Sequence, residues 1–344
     1  MRAIQYAKNG GPEVLELVDR PIPAAGAGEV RVRIVVSGLN PTDWKSRAGS
    51  AAGTPVDPSQ VPGQDGAGIV DAVGDGVDSL TVGQRVWIWD SAFKRPNGTS
   101  QEFVTLPARQ VVGLPDAASL DLGASLGIPA LTAHRALTAN EHGPAQLSPG
   151  ALSGHTVLVA GGAGAVGHAA IELARWAGAV VITTVSSADK ADLASAAGAH
   201  HVLNYREDNV SARVFEISPT GVDTIVEVNP RANMALDEDI IKPGGTVSIY
   251  VSDDEDTLPI SARLSMTKNI RYQFILTYTV TAEQKQRAVD AVSAAVADGA
   301  LKVGADAGLP LTRFPLEQTA DAHRAVEANV VGKVLIEVSQ EAAR

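Results

Sequence analysis

A glycine-rich segment between a strand-like run and a helical pattern most constrains the fold of this chain. Residues 156–160 are apolar and β-branched, and residues 169–176 carry small and apolar side chains at helical spacing, which predicts a buried strand that turns directly into a helix. Between them, Gly162, Gly164 and Gly167 follow the spacing G-x-G-x-x-G. The first glycine of this spacing permits a tight turn, the second lets the backbone approach a diphosphate, and the third lets the helix pack closely on the strand. Because the N–H groups at the start of such a helix, including those of Ala165 and Val166, face the phosphates, the segment predicts a dinucleotide site.

The size and composition of the chain are those of a globular protein with two domains. It has 344 residues, of which 45% are hydrophobic and 19% are charged, and this length exceeds the usual size of a single core. No segment approaches an uninterrupted apolar span of about 20 residues, and the start of the chain has no signal-peptide core. We therefore expect a cytoplasmic protein with no membrane partner.

The charge and the cysteine content exclude several classes of function. The formal net charge is −11 and no basic run compensates it, so we expect no nucleic-acid partner. Cysteine is absent, which removes disulfides, thiolate nucleophiles and thiolate zinc sites. The adjacent His200 and His201 do not have the spacing of an H-E-x-x-H zinc site. The sequence therefore predicts a protein without a metal.

The order of the patterns divides the chain into two domains. Residues 1–125 are punctuated by Pro and Gly and carry short runs that alternate apolar and polar residues, as half-buried antiparallel strands do. A helical pattern over 117–137 is interrupted at 127–129, and from 156 strands and helices alternate up to a sixth strand at 269–277, which is typical of a doubly wound parallel sheet. Because a final strand at 332–338 does not extend that sheet, we expect the tail to return to the first domain. The predicted domains are 1–125 together with about 283–344, and 126–282.

Five ordered motifs give the chain a family resemblance. They are residues 37–43 (SGLNPTD), 61–68 (VPGQDGAG), 127–133 (GIPALTA), the glycine turn, and Gly332-Lys333. It resembles the medium-chain dehydrogenase/reductase superfamily, in its zinc-free quinone oxidoreductase branch, which includes zeta-crystallin, over essentially its whole length. The resemblance implies an α/β protein with a GroES-like β-rich catalytic domain and a doubly wound Rossmann domain, and a cofactor in the cleft against the nucleotide domain. Zinc-dependent relatives carry Cys and His where this chain has Leu39 and Gln64, so the chemistry of a zinc-bound alkoxide is excluded.

The end of the second predicted strand favours NADPH over NADH. NAD-specific relatives usually place Asp or Glu there, which accepts a hydrogen bond from the ribose 2′-OH and repels a 2′-phosphate. Here small hydroxyl residues follow the strand, and the resemblance implies that Ser186, Lys190 and Tyr205 bind the 2′-phosphate. Asp189 opposes this interpretation, unless it points to solvent at the start of the next helix.

Further cofactor contacts are implied by the resemblance alone. Thr132, Asn229, Tyr250 and the backbone of Phe274 and Ile275 match positions that contact nicotinamide or its ribose in relatives. The match at Asn229 is imperfect, because relatives often have a glycine-containing turn after the fourth strand. Asn329 and Lys333 match positions of the family less specifically than these residues do. Lys333 also fits the alternative of an exposed lysine before a final strand.

The predicted chemistry is hydride transfer from NADPH to a small-molecule electrophilic acceptor, either a quinone or the β-carbon of an α,β-unsaturated carbonyl compound. Asn40 and Asp43 match polar positions that line the active-site cleft of the family, where Asn40 is expected to donate to a substrate carbonyl. Asp43 equally suits the cap of the turn after Pro41. Tyr250 is a candidate proton donor, and solvent is the alternative.

Two other functions stay open at this point, together with a quaternary expectation. An enoyl-thioester reductase needs cations for a phosphopantetheine, for which residues 45–47 and 94–95 are candidates. A non-catalytic, crystallin-like NADPH-binding protein needs no acceptor. The family also implies a homodimer in which the sixth strand pairs edge to edge.

Overall fold

The computed structural model describes residues 1–252 and 257–340 and divides into two compact units. The first unit contains residues 1–128 and the described residues from 311 onward, and the second contains residues 129–310. Residues 341–344, the end of the predicted first domain, lie outside the described part of the chain.

Strands dominate the first unit, whereas strands and helices alternate in the second. The first unit begins with β1 (Arg2–Lys8), β2 (Glu16–Asp19), β3 (Glu29–Leu39), α1 (Pro41–Ala48), β4 (Pro55–Gln60), β5 (Asp65–Val73), β6 (Arg85–Ile88), β7 (Phe103–Pro107) and β8 (Val111–Gly113). Helix α2 (Leu120–Leu137) starts in the first unit and ends in the second. The second unit contains β9 (Thr156–Ala160), α3 (Ala165–Trp176), β10 (Val180–Val185), α4 (Ala188–Ala196), β11 (His201–Asn204), α5 (Val210–Ile217), β12 (Val222–Glu227), α6 (Pro230–Ile240), β13 (Ile241–Ile249), α7 (Ala262–Lys268), β14 (Arg271–Phe274) and α8 (Ala282–Ala297). The chain returns to the first unit with β15 (Leu311–Pro315), α9 (Thr319–Glu327) and β16 (Lys333–Glu337).

The main sheet of the first unit joins both ends of the chain. Its strands run in the order β15-β16-β3-β5-β6-β8, with β7 paired to β3. Every neighbouring pair is antiparallel except β15 with β16. The late strand β16 pairs with β3, with Val334 opposite Leu39, and its apolar side chains Val334 and Ile336 share a core with Val32 and Ile34. This pairing brings Lys333, the first residue of β16, to the end of β3.

The second unit is a parallel sheet covered by helices, as in the doubly wound folds. Its strands run in the order β11-β10-β9-β12-β13-β14, and each neighbouring pair is parallel. The order changes direction between β9 and β12, and in such sheets ligands bind at the carboxyl ends of the strands near this point. Within the described residues, no helix combines the length and the apolar character that crossing a membrane requires.

Helix α2 is continuous from Leu120 to Leu137, so the predicted interruption at 127–129 is wrong. Pro129 lacks an N–H group and therefore disrupts the hydrogen bonding of a helix. Here the carboxylate of Asp65 accepts the N–H of Ile128 at 2.9 Å. Its Oδ1 atom lies 2.1 Å from the position that a Cβ of Gly127 would take. The carboxylate satisfies the N–H of the residue before the proline, and the helix continues through this point.

The second unit extends beyond the boundary expected near 283. Helix α8 belongs to this unit and packs against α3. The indole Nε1 of Trp176 donates to Asp298 at 2.8 Å, and the ring of His168 hydrogen-bonds to the carbonyl of Lys302 at 3.0 Å. These contacts hold α8 on the nucleotide-type sheet, so the chain returns to the first unit only at Leu311.

Candidate functional site

The glycine turn has the close contacts that its spacing predicts, with one change. The left-handed conformation belongs to Gly161, with φ of +70°, and not to Gly162. A Cβ on Gly162 would lie 2.2 Å from Thr183 Oγ1 on β10, and one on Gly167 would lie 2.4 Å from the carbonyl oxygen of Gly161. These two glycines are therefore required for packing, and Gly161 makes the turn.

Gly164 differs from its neighbours because it is exposed. Its backbone angles are −84° and 161°, and the nearest atom to an added Cβ is the carbonyl oxygen of Gly161 at 3.5 Å. Helix α3 begins directly after it at Ala165, and the first N–H groups of a helix have no carbonyl partner within the helix. The first turn of α3, which includes Val166, thus offers N–H groups next to open space, as a diphosphate site requires.

Ser186, Lys190 and Tyr205 lie together at the carboxyl edge of the parallel sheet. Lys190 Nζ donates to Ser186 Oγ at 3.1 Å, just after β10. The backbone N–H of Tyr205, which follows the neighbouring strand β11, donates to the carbonyl of Val185 at 3.1 Å, and its side chain is exposed. Asp189 is exposed on the first turn of α4. The structure therefore brings together the three residues predicted to bind a 2′-phosphate.

Asn229 and Tyr250 follow the next two strands along the same edge. Asn229 precedes α6 after β12, is exposed, and donates its backbone N–H to the carboxylate of the buried Glu227. Tyr250 follows β13, and its N–H donates to the carbonyl of Glu227 at 3.3 Å. Burial, followed by the negative charge of Glu227, raises the pKa of the Tyr250 phenol above its ordinary value. Tyr250 therefore carries its proton at neutral pH.

The other predicted cofactor residues are divided between the two units. Thr132 is buried on α2. One turn later on the same helix, the carbonyl of Ala136 accepts a hydrogen bond from Ser248 Oγ on β13 at 2.8 Å. Phe274 ends the edge strand β14 and is exposed, whereas Ile275 is buried and donates its N–H to Ile249 at 2.8 Å. Asn329 belongs to the first unit, where it follows α9 in the left-handed conformation with φ of 57°.

Asn40 is the centre of a buried polar cluster in the first unit. Its Nδ2 donates to Asp65 Oδ2 at 2.8 Å and to the carbonyl of Gly38 at 3.3 Å. Its Oδ1 accepts from Lys333 Nζ at 2.7 Å. Both N–H groups of the amide are engaged, so the expected donation from Asn40 to a substrate carbonyl has no free donor in this arrangement. Asp43 Oδ2 accepts the backbone N–H of Asn40 at 2.8 Å at the start of α1, which is the capping contact that the sequence left as the alternative.

Two functional candidates in this cluster carried weak sequence signals. Asp65 is fully buried, and Lys333, also buried, lies 3.7 Å from it. Asp65 stood within the 61–68 motif without a separate role, and Lys333 was indistinguishable from an exposed lysine before a strand. Their partnership depends on the pairing of β16 with β3, which no local pattern specifies.

Burial changes the protonation of the cluster. It raises the pKa of Asp43 to about 7. The hydrogen bond from the N–H of Asn40 opposes this shift, and the charge of Asp65 adds a smaller contribution to it. Burial also raises the pKa of Asp65 to about 6, where the ammonium of Lys333 opposes the shift, and it lowers the pKa of Lys333. Burial therefore moves the ionisation of both carboxyl groups toward neutral pH, with Lys333 Nζ 3.7 Å from Asp65.

Comparisons with known proteins identify the family. Residues 26–116 match the family described as alcohol dehydrogenase GroES-like domain, and residues 165–305 match the family described as zinc-binding dehydrogenase. A quinone oxidoreductase of Rattus norvegicus is 32% identical over 342 residues, which cover 98% of this chain and 97% of the relative. The chain belongs to the zinc-free quinone oxidoreductase branch of the medium-chain dehydrogenase/reductase superfamily.

Solved structures of the superfamily share the fold of this oxidoreductase. The structure of Escherichia coli quinone oxidoreductase complexed with NADPH has a TM-score of 0.79 and 26% identity, and covers 98% of this chain and 100% of that chain. An NAD-dependent alcohol dehydrogenase has a TM-score of 0.83 and 29% identity, over 98% of this chain and 100% of that one. The GroES-like and Rossmann-type architecture is therefore confirmed.

The residues of this family member do not fit the zinc ion named by one of its family descriptions. Gln64 is buried, and its Oε1 accepts the N–H of Ala92 at 3.1 Å. The buried carboxylate of Asp65 has an ammonium as its cationic partner, and the cluster around it offers neither a thiolate nor an imidazole. Among residues 1–252 and 257–340, no group of three or more His, Cys, Asp or Glu side chains has the arrangement of a metal site.

Proposed function

We propose that this protein is an NADPH-dependent reductase of electron-poor acceptors, either quinones or α,β-unsaturated carbonyl compounds. The observation that carries the proposal is the Lys190–Ser186 contact of 3.1 Å at the carboxyl end of β10. This position supplies a cation and a hydroxyl where NAD-specific relatives usually have a carboxylate. The likeness to a quinone oxidoreductase complexed with NADPH supports the same choice.

The second unit holds the cofactor along one edge of its sheet. The N–H groups that follow Gly164 bind the diphosphate, because Gly164 leaves open space there and the helix dipole favours an anion. Ser186, Lys190 and Tyr205 bind the 2′-phosphate. In this proposal, Asn229 and Tyr250, which follow the neighbouring strands β12 and β13, contact the nicotinamide end of the cofactor. When bound, NADPH supplies the hydride.

The buried polar cluster of the first unit supports the start of α1 and supplies a candidate proton donor for the reduced acceptor. Lys333 and Asp65 fix the amide of Asn40 from both ends, so this side chain is a rigid support for the start of α1. Asp43 accepts the N–H of Asn40 and holds a proton near neutral pH, because burial raises its pKa to about 7. We assign Asp43 as the candidate source of the proton that the reduced acceptor takes up, with solvent as the alternative.

An acceptor screen tests the proposal. NADPH oxidation is measured with a simple quinone, a 2-alkenal and an enoyl thioester, each with NADH in parallel. The proposal predicts turnover of the quinone or the alkenal with NADPH. Turnover of the enoyl thioester alone would favour the thioester reductase. Tight NADPH binding without oxidation by any of the three would favour a non-catalytic binding protein.

We also propose a homodimer formed through strand β14. This strand is at the edge of the parallel sheet, and the apolar side chains of Phe274, Leu276 and Met266 are 59%, 57% and 76% exposed. An exposed strand edge with apolar side chains is suited to pairing with a second copy. Sedimentation velocity is expected to show a dimer, and a monomer at all concentrations would contradict this proposal.

A further inference from the structure

Arg47, in the last turn of α1, is a buried cation that the chemistry described above does not use. Its side chain is only 2% exposed, although long charged side chains are rarely buried without a partner. Arg47 does not suit the phosphopantetheine contact for which residues 45–47 are candidates, because its guanidinium lies inside the first unit.

Arg47 is fastened to two parts of the first unit. Its Nη2 forms an ion pair with Oε1 of Glu327, the last residue of α9. Its Nε donates to the carbonyl of Gly10, just after β1, at 3.1 Å. The carbonyl of Arg47 in turn accepts the N–H of Gly10 at 3.2 Å and the Nδ2 of Asn9 at 3.0 Å. The end of α1 is therefore held by side-chain and backbone contacts.

Residues 327–333 link this ion pair to the buried polar cluster. The segment turns at Asn329, which has the left-handed conformation and donates its N–H to the carbonyl of Val326 at 3.0 Å. The N–H of Val330 donates to the carbonyl of Ala325 at 3.1 Å. These two bonds form a Schellman cap at the end of α9, so the path from the helix to β16 is fixed by hydrogen bonds.

The same segment thereby holds both ends of α1. Glu327 binds Arg47 at the end of the helix. At its start, Lys333 Nζ donates to Asn40 Oδ1 at 2.7 Å, and the N–H of Asn40 donates to Asp43 at 2.8 Å. Helix α1 has eight residues and is about 12 Å long. A shift of this short helix would therefore break a contact with a charged group at one of its ends.

We propose that Glu327 and Arg47 are positioning residues for Asp43, because their ion pair fixes the end of α1 opposite the polar cluster. Asp43 and Arg47 are the two buried residues of α1, and they are four residues apart, so both project from the same face of the helix. The inference rests on the proposed function in one respect, namely that Asp43 supplies the proton. Glu327 and Arg47 act through α1.

Among the described groups around Arg47, Glu327 is the carboxylate that contacts the guanidinium. Besides Asp43, one turn earlier on its own helix, the titratable groups that face Arg47 are Glu327 and His323 on α9 and Tyr6 on β1. Burial, followed by the charge of Arg47, lowers the pKa of His323 to about 3, so this imidazole is neutral near pH 7. Burial, followed by the charge of Asp43, raises the pKa of Tyr6. Neither ring therefore replaces Glu327 as a counter-charge.

The two members of the ion pair differ in their access to water. The side chain of Glu327 is 29% exposed, whereas that of Arg47 is buried. Removal of the arginine leaves a carboxylate that water can reach. Removal of the glutamate leaves a buried cation without its counter-charge, which is strongly destabilising. Variants of Glu327 must therefore be compared with one in which the arginine is replaced as well.

Steady-state kinetics with NADPH and the acceptor found in the screen compare the wild type with four variants. Glu327→Ala is expected to lower kcat by about 10- to 100-fold with little change in KM, because a misplaced group affects the chemical step. Glu327→Gln keeps an acceptor oxygen for Arg47 and is expected to recover most of that loss. Asp321→Ala is the matched control, with wild-type kinetics expected, because it removes a carboxylate that pairs with Arg324 on the surface of α9.

The double variant Arg47→Met/Glu327→Ala separates positioning from stability. It removes the buried cation together with its partner, so its Tm is expected to recover most of the loss in Glu327→Ala. Its kcat is expected to stay low, because the end of α1 is no longer fixed. A double variant that regains kcat together with Tm would overturn the inference, since packing alone would then suffice.

Hydrogen exchange in the apo protein separates this inference from the proposed function. Peptides that cover residues 40–49 are expected to exchange faster in Glu327→Ala and in the double variant than in the wild type, while the strands of the second unit keep the wild-type rate. Asp321→Ala is expected to match the wild type throughout. If no acceptor oxidises NADPH, the proposed function fails, and the exchange rates still decide whether Glu327 fixes α1. Unchanged exchange of residues 40–49 in Glu327→Ala would overturn the inference.

Discussion

Replacing Gly164 with alanine separates the binding role of the glycine turn from its structural role. The added Cβ enters exposed space, 3.5 Å from its nearest neighbour, and the backbone angles of −84° and 161° suit any residue. No contact is lost and no strain is introduced. We therefore expect the free energy of unfolding of Gly164→Ala to stay within about 0.5 kcal/mol of the wild type.

The same methyl group is expected to weaken cofactor binding strongly. It separates the diphosphate from the N–H groups at the start of α3, and a hydrogen bond to a charged acceptor contributes about 1.5–3 kcal/mol. This corresponds to a Kd that is about 10- to 100-fold weaker. Because NADPH and NADH share the diphosphate, both are expected to lose affinity by the same factor.

Gly167→Ala is the matched variant with the opposite stability result. Its Cβ would lie 2.4 Å from the carbonyl oxygen of Gly161 and 3.0 Å from the Cα of Gly162, and these backbone atoms have little freedom to move. Overpacking of this kind costs about 1–3 kcal/mol, which lowers Tm by roughly 2–12 °C for a domain of this size.

The assay combines thermal unfolding of the apo protein with fluorescence titration of both nucleotides. A Gly164→Ala variant that keeps the wild-type Tm and also the wild-type Kd for both nucleotides would refute diphosphate binding at this turn. A loss of stability in Gly164→Ala as large as that in Gly167→Ala would refute the packing argument.

Three further predictions concern the buried ionisable groups. If Asp43 donates the proton, kcat declines as pH rises through the Asp43 pKa of about 7. The variant Asp43→Asn is then expected to have a lower kcat without that decline. An unchanged pH–rate profile in Asp43→Asn would exclude Asp43 as the proton donor. Lys333→Met leaves Asp65 buried without its cation, so the loss of stability is expected to grow as pH rises through the ionisation of Asp65. Denaturation midpoints at several pH values measure this loss. A loss of stability that does not depend on pH would contradict the prediction. His323 is buried with a pKa lowered to about 3, so its neutral form stabilises the fold above pH 6.5 and that contribution is lost on acidification. Between pH 6.5 and about 3, His323→Leu is expected to gain up to about 1.4 kcal/mol relative to wild type per pH unit, measured by urea unfolding; parallel stability curves would contradict it.

The features that the sequence predicted correctly are those specified by neighbouring residues. The alternation of β9 to β14 with helices, and the strand, turn and helix around Gly164, follow from local periodicity and glycine spacing. The contact of Lys190 with Ser186 joins residues four apart, with Ser186 directly before the cap Ser187 and Lys190 in the first turn of α4.

The features that the sequence did not predict depend on distant contacts. The hydrogen bond between the N–H of Ile128 in α2 and Asp65 joins residues that are 63 apart. The full engagement of Asn40 requires Lys333, which is 293 residues away. Gly161 was missed because the spacing of the motif begins one residue later.

The decisive measurement is the ratio of the Kd values for NADH and NADPH, determined by calorimetry for the wild type and for Lys190→Ala. It tests whether this protein binds the 2′-phosphate of NADPH. We predict that the wild type prefers NADPH and that Lys190→Ala loses this preference by weakening NADPH while leaving NADH unchanged, because the proposed 2′-phosphate site includes the Lys190 ammonium beside Ser186. Equal affinity of the wild type for both nucleotides, or an equal loss of both in Lys190→Ala, would contradict it.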